Sequence, residues 1–270
     1  MDLHEIENGP VRLATTDHGG TGPSIVLLHG LGLTQRSMAK VASHLTGFRV
    51  ITMDLRGHGG STTAPWGFEQ VVGDVEAVVR WYDLDAPYLA GHSLGGMVAL
   101  QYARSGRPLA GAINIDGWGA GTAERYLGED PVVITRYLAQ VAAGQLPSRR
   151  AMLVTGRSRQ GREGTTAQVL RLLHGADVVE WHATAPSPTL AVFATAPTSR
   201  AERWLIGREA ARRQDAHRRG LDRDLQACRS PLLQVARIDA GHALCATRPL
   251  AVAEAIQHFT TAVSARRART

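Results

Sequence analysis

The stretch Leu89-Ala90-Gly91-His92-Ser93-Leu94-Gly95-Gly96 decides how the rest of the chain is read. An apolar run enters it, and Met97-Val98-Ala99-Leu100 leaves it as the start of a helix, so Gly91-x-Ser93-x-Gly95 sits where a strand turns into a helix within a few residues. Such a turn forces the middle residue into a strained backbone with little room on either side, and the flanking glycines supply that room. It also lifts the serine oxygen above the sheet edge and sets the next backbone N–H groups near a helix N-terminus, where they stabilise an anion. A plain Gly/Ser turn has the same letters. The stretch reads as a displayed nucleophile when a base, an acid and oxyanion donors accompany it in the right order.

Outward from this turn the chain alternates. Ser24-Ile25-Val26-Leu27-Leu28 is a continuous apolar run of the kind expected for a strand buried on both faces, and it ends in His29-Gly30-Leu31-Gly32. A helix pattern around residues 38–45 leads to a second buried strand, Arg49-Val50-Ile51-Thr52-Met53, which closes on Asp54-Leu55-Arg56-Gly57-His58-Gly59-Gly60-Ser61. Phe68, Val71, Val72, Val75, Val78, Val79 and Tyr82 form the apolar stripe of an amphipathic helix before the serine strand. Residues 9–23 read as an earlier strand and a glycine turn, and residues 109–115 as the strand after the serine helix, ending at Asp116-Gly117-Trp118-Gly119. The alternation lapses over 119–186 and resumes with strands at 189–193 and 232–238, separated by a long polar helix from about Ala201. Asp239-Ala240-Gly241-His242 follows the last strand, and a helix with Pro249 in its first turn closes the chain. Repeated strand and helix units imply a parallel sheet covered on both sides.

Composition narrows the function classes. A chain of 270 residues, 44% hydrophobic and 20% charged, holds one well-buried domain with room for an insertion. No apolar run is long enough for a membrane span, and Met1-Asp2-Leu3-His4-Glu5-Ile6-Glu7 lacks the basic and apolar regions of a secretory signal. With only Cys228 and Cys245, a disulfide framework is not expected, so the protein reads as cytoplasmic and reduced. The net charge of +6 comes from scattered arginines, with Lys40 the only lysine. No basic motif interleaved with aromatics appears, so no nucleic-acid partner is expected. The arginine-dense segment 208–223 reads as a solvated helix face. The histidines lack metal-ligand spacing, so no metal is expected.

His29-Gly30 after one strand, Asp54-x-Arg56-Gly57-x-Gly59-x-Ser61 after the next, Gly91-x-Ser93-x-Gly95-Gly96 at the turn and Gly241-His242 after the last strand follow one another as they do in the α/β-hydrolase superfamily, which nearly the whole chain resembles. The resemblance implies an α/β fold with a mostly parallel eight-stranded sheet, helices on both faces and a helical cap insertion. Its core would comprise 1–118 and 187–270, and its cap 119–186. It implies Ser93 as nucleophile, His242 as general base and then acid, and the backbone N–H groups of Leu31 and Leu94 as the oxyanion hole. His29 and His92 flank motif positions and are expected, with Trp118, to shape the substrate pocket. Tyr126, Tyr137 and Trp181 are further candidate walls.

The family usually places the acid after the seventh strand, yet that loop here, Ala194-Thr195-Ala196-Pro197-Thr198-Ser199-Arg200-Ala201-Glu202, contains no Asp. Glu202 matches a capping box with Ser199. Asp116 at the end of the sixth strand is the better candidate, because in the family's sheet order that strand lies between the serine strand and the seventh. Some family members use this position. The competing reading of Asp116-Gly117 is a simple turn.

The reaction expected is cleavage of a carboxylic ester, lactone or thioester through an acyl-Ser93 intermediate, on a small-molecule substrate and without a cofactor. Lyase, cyclase or C–C bond-cleaving chemistry on the same triad is the alternative, and a ligand-binding protein of the same fold a third. Arg157, Arg159 and Arg162 in the expected cap read as a solvated loop or, alternatively, as contacts to an acidic substrate. Specificity lives in that cap, where no motif is legible.

Overall fold

The computed structural model of the protein describes residues 2–119, 126, 162–200, 203–204 and 208–269. Eight strands, β1 (Asp2–Asn8), β2 (Val11–Asp17), β3 (Ser24–Leu28), β4 (Arg49–Met53), β5 (Tyr88–His92), β6 (Gly111–Ile115), β7 (Thr189–Ala194) and β8 (Leu233–Ile238), form one sheet in the order β1-β2-β4-β3-β5-β6-β7-β8. β1 and β2 are antiparallel to their neighbours, and every pairing from β4 to β8 is parallel.

The described helices are α1 (Ala39–Ala42), entered through a 3-10 turn at Gln35–Met38, α2 (Phe68–Trp81), α3 (Leu94–Arg104), α4 (Arg162–His174), α5 (Val178–Thr184), α6 (Arg208–Ala227), α7 (Leu244–Thr247) and α8 (Pro249–Arg267). The period-2 geometry of a strand explains how they divide. Val26 and Leu28 of β3 point into a cluster with Val71, Val75 and Val78 of α2 and Met97 and Val98 of α3. Ile25 and Leu27 point the other way, into a cluster with Val41, Val252, Ile256 and Phe259. Both faces of β3 are therefore covered, which is why its sequence is apolar without alternation. Each such fully buried side chain contributes roughly 1.5–3 kcal/mol.

One expectation changes. The chain opens with a hairpin, since β1 pairs along its whole length with β2. β1 escaped detection because it is an edge strand whose only buried side chain is Ile6. Of the span expected as cap, 119–186, α4 and α5 are described. Within α5, Val178 and Trp181 join the α2–α3 cluster, and buried His182 bonds Thr189 of β7 at 3.0 Å, so this helix packs as part of the core. Most of the remaining cap span, including Tyr137, Arg157 and Arg159, lies outside the described residues, as does Glu202. Arg162 opens α4.

The motif after β4 is a buried brace. Asp54 accepts from the N–H groups of Gln35 (2.6 Å) and Gly60 (2.9 Å), while the Ser61 hydroxyl donates to the Asp54 carbonyl at 2.6 Å. Arg56 forks onto both oxygens of Asp74 in α2, at 2.6 and 2.7 Å. This geometry fixes the loops at the carboxyl edge of the sheet, where β5, β6 and β8 also end.

Candidate active site

β5 ends at His92 and α3 begins at Leu94, so Ser93 alone makes the turn, at φ 53° and ψ −117°. A non-glycine residue pays of the order of 1–3 kcal/mol for such a backbone and keeps it only where the surroundings enforce it. Here the Ser93 N–H donates to the Ile115 carbonyl of β6 at 2.8 Å, and the Ser93 carbonyl accepts from Gly96 N–H at 3.0 Å. The neighbouring glycines are required by contact. A Cβ at Gly91 would lie 2.0 Å from the Gly95 carbonyl carbon, and one at Gly95 would lie 2.5 Å from the Leu28 carbonyl oxygen. Leu94 opens α3, so its N–H has no partner carbonyl within the helix. The loop carrying Leu31 passes close by, since a Cβ at Gly30 would lie 3.2 Å from the Ser93 Cβ.

Asp116 occupies the corresponding turn at the end of β6, also in the left-handed region at φ 52°. Asn114 stabilises it by bonding Gly117 twice, N–H to Oδ1 and Nδ2 to the carbonyl, each at 2.9 Å. Turn and acid are thus the same structure. His242 arrives from the loop after β8. Its Nε2 lies 3.1 Å from Ser93 Oγ, and its Nδ1 lies 2.8 Å from Asp116 Oδ2. Because a carboxylate only accepts, Nδ1 carries the proton and Nε2 presents its lone pair to the serine.

The Asp116 carboxylate is fully buried, yet four donors surround it. Oδ1 accepts from the Trp118 indole N–H at 3.0 Å and the Ala194 N–H at 3.1 Å, and Oδ2 accepts from His242 and from Arg218 at 2.7 Å. Burial by itself would raise the carboxyl pKa. The His242 hydrogen bond and the Arg218 charge outweigh it and hold Asp116 well below the usual carboxylate range.

The residues expected to line a pocket do other work. His29 is fully buried: its Nδ1–H donates to the Gly30 carbonyl at 2.8 Å and its Nε2 accepts the Leu55 N–H at 3.0 Å, pinning β3 to the brace after β4. His92 packs against the His242 ring, centroids 4.8 Å apart, and donates from Nε2 to the His242 carbonyl at 2.8 Å. Burial, with the charge of His242, pushes its pKa down to about 4, so it is neutral at working pH. Trp118 clamps the acid and rests its ring against Phe193. Trp181 is core, packed edge-on to Phe68, and Tyr126 donates to Asp224 of α6 at 2.6 Å.

Arg218 is the residue that the sequence reading missed. It belongs to the segment expected as a solvated face, but its side chain is only 12% exposed. The available signal was its register: Arg218 falls on the stripe of α6 that buries Ala211, Leu221 and Leu225. Among the described residues, no group of three or more His, Cys, Asp or Glu is placed to hold a metal ion. Cys228 and Cys245 are free thiols, and no described helix is long and apolar enough to cross a membrane.

A model of the alpha/beta hydrolase family matches residues 25–255. The chain belongs to the alpha/beta hydrolase family. The fold agrees with that of solved members. An enol-lactonase from Burkholderia xenovorans superposes with a TM-score of 0.66 at 20% identity, covering 96% of this chain and 100% of its own. A thermophilic esterase from Thermogutta terrifontis does so with 0.65 at 24% identity, covering 97% and 99%. Among curated relatives, a 2-succinyl-6-hydroxy-2,4-cyclohexadiene-1-carboxylate synthase from Salmonella agona is 39% identical over 87 residues, 32% of this chain. The match spans about a third of that relative's length, 34%.

Proposed function

We propose that this alpha/beta hydrolase cleaves a carboxylic ester, lactone or thioester through an acyl-Ser93 intermediate. One observation carries the reading: the unbroken line from Ser93 Oγ through His242 to Asp116, at 3.1 and 2.8 Å, with the serine held on a strained turn. In this reading Oγ attacks the acyl carbon while its proton passes to Nε2, and the buried carboxylate stabilises the imidazolium formed. The oxyanion develops against the N–H groups of Leu94 and Leu31, each contributing on the order of 3 kcal/mol. Collapse expels the leaving group, which takes the proton from Nε2. Water then gives a proton to Nε2, attacks the acyl carbon and releases the acid, and Ser93 recovers its hydrogen.

The test is hydrolysis of a short-chain p-nitrophenyl ester by wild type and Ser93→Ala, with mass spectrometry of the quenched enzyme. Wild type is expected to turn over and to carry the acyl mass on the Ser93 peptide. Equal turnover by Ser93→Ala would end the reading.

The Salmonella relative named as a synthase favours a second reading, in which His242 handles a proton of a carbon acid and Ser93 is never acylated. Turnover of a carbon-acid substrate with no acyl adduct would select it.

A further inference from the structure

Among the described residues, two buried arginine–carboxylate pairs occur near this sheet edge, and they are built differently. Arg56 grips both oxygens of Asp74 with two nitrogens, donates besides to the Pro65 and Gln70 carbonyls, and shares Asp74 with Asn8, far from Ser93 and His242 in the hydrogen-bond network. Arg218 gives Asp116 one nitrogen, at Oδ2, the same oxygen that receives His242 Nδ1. Its other terminal nitrogen donates to the carbonyls of Ala194 and Ala196, both at 3.3 Å. The fork is thereby tied to the backbone after β7 and cannot follow the carboxylate if it rotates.

We infer that Arg218 is a positioning residue for the reaction, holding the Asp116 carboxylate toward His242 and, through its charge, setting how tightly the Asp116–His242 pair keeps a proton. The inference rests on the reading of Asp116 as the triad's acid. The groups facing this pair, among the described residues, are Ser93 and His92 from the turn after β5, Trp118 from the loop after β6, Arg218 from α6 and Cys245 from α7. His92 is neutral, and burial pushes the Cys245 thiol up to about 12, so of these facing groups only Arg218 carries a charge near neutral pH. A guanidinium one hydrogen bond from the shared oxygen opposes protonation of the pair. Without it the pair binds its proton more tightly, and the base is withheld from Ser93 until higher pH.

The experiment measures the second-order rate of Ser93 labelling by a fluorophosphonate over pH from about 5 to 9, which needs no knowledge of the natural substrate. Wild type, Ser93→Ala, Arg218→Gln, Arg218→Lys, Asp116→Asn and the Asp116→Asn/Arg218→Gln double variant are compared, with unfolding midpoints beside them. Arg218→Gln is expected to slow labelling about 10- to 100-fold near neutral pH and to move the acid side of the profile up by about one pH unit. Arg218→Lys keeps the charge and should recover most of the rate. In the Asp116→Asn background the same Arg218→Gln change should alter the rate less than about threefold, because the guanidinium acts only through that carboxylate.

Wild-type rate and profile in Arg218→Gln, or additive effects with Asp116→Asn, overturn the inference while leaving the hydrolase reading intact. Arg218→Lys as slow as Arg218→Gln at equal stability also overturns it, and this comparison decides by itself should Asp116→Asn fail to fold. Wild type labelling no faster than Ser93→Ala would instead bring down the hydrolase reading, and this inference with it.

Discussion

Asp116→Asn tests the site at its most constrained atom. All four partners of the carboxylate are donors: Trp118 Nε1 and Ala194 N–H at Oδ1, His242 Nδ1 and Arg218 at Oδ2. An amide replaces one acceptor oxygen by an NH2, so either orientation sets that NH2 against two donors. The Oδ1 side is rigid, because Ala194 belongs to β7. The NH2 is therefore driven to the His242 side, where the imidazole can answer only by moving its proton to Nε2. In that tautomer Nε2 donates to Ser93 and has no lone pair with which to take its proton. The expected fall in kcat is on the order of 10⁴-fold.

Stability falls too, since Arg218 then faces an amide instead of a charge. Breaking a buried pair costs about 3–5 kcal/mol, which for a domain of this size lowers Tm by about 10 °C. The double variant with Arg218→Gln should regain part of that loss. Steady-state hydrolysis of a p-nitrophenyl ester and a thermal melt supply both numbers. An Asp116→Asn variant with kcat within about tenfold of wild type and an unchanged Tm would refute this reasoning and turn attention to Glu202.

The remaining predictions concern the fold around the site. Ser93→Gly should abolish labelling and raise stability by about 1–2 kcal/mol, because glycine adopts φ 53° without strain; a lowered urea midpoint would contradict this. Gly95→Ala should cost about 3 kcal/mol or more, read as a Tm drop, since its Cβ meets the Leu28 carbonyl oxygen at 2.5 Å. Arg56→Met leaves fully buried Asp74 without its cation and should cost about 3–5 kcal/mol in urea titrations, with no such loss expected for the exposed Arg12. The buried histidines give the pH dependence. His182 is pushed by burial to about 3, and His92 and His217 to about 4, from an ordinary value of 6.5. The unfolded chain takes up these protons first, so stability present above pH 6.5 is lost as pH falls toward 4. Each group accounts for about 2 kcal/mol between pH 6.5 and 5. Urea midpoints that stay level across this window would disprove it, and His182→Gln should flatten the slope.

How much of this was legible in the sequence depended on whether the signal was local. β3 announces itself because two-sided burial leaves an unbroken apolar run, and β4 and β5 because they are short, largely apolar runs that end in turn motifs. The serine turn announces itself because only glycine fits within 2.0 to 2.5 Å of the Gly95 carbonyl carbon and the Leu28 carbonyl oxygen. Asp116 could be placed by sheet order, and β6 does lie between β5 and β7. β1 was invisible because an edge strand with one buried residue has the composition of a loop. His29 and Trp118 were named for their nearness to motifs, but which way a ring nitrogen faces is decided by Leu55 and Asp116, not by neighbours in sequence. Arg218 was hidden among other arginines of α6. Its partner lies 102 positions away, and no local pattern encodes that distance.

The same long separations decide when the enzyme comes alive. Ser93 and Asp116 are held by adjacent strands, but His242 lies 149 and 126 positions beyond them and reaches them only after β8 has docked on β7. Closing contacts of that sequence distance is slow compared with forming α2 or α3. On the proposed triad, catalytic competence is therefore expected late in folding, as a report that the sheet is complete. A partly folded chain with every helix of its first half in place still carries an inert serine, and in refolding the return of labelling will trail the return of helical signal.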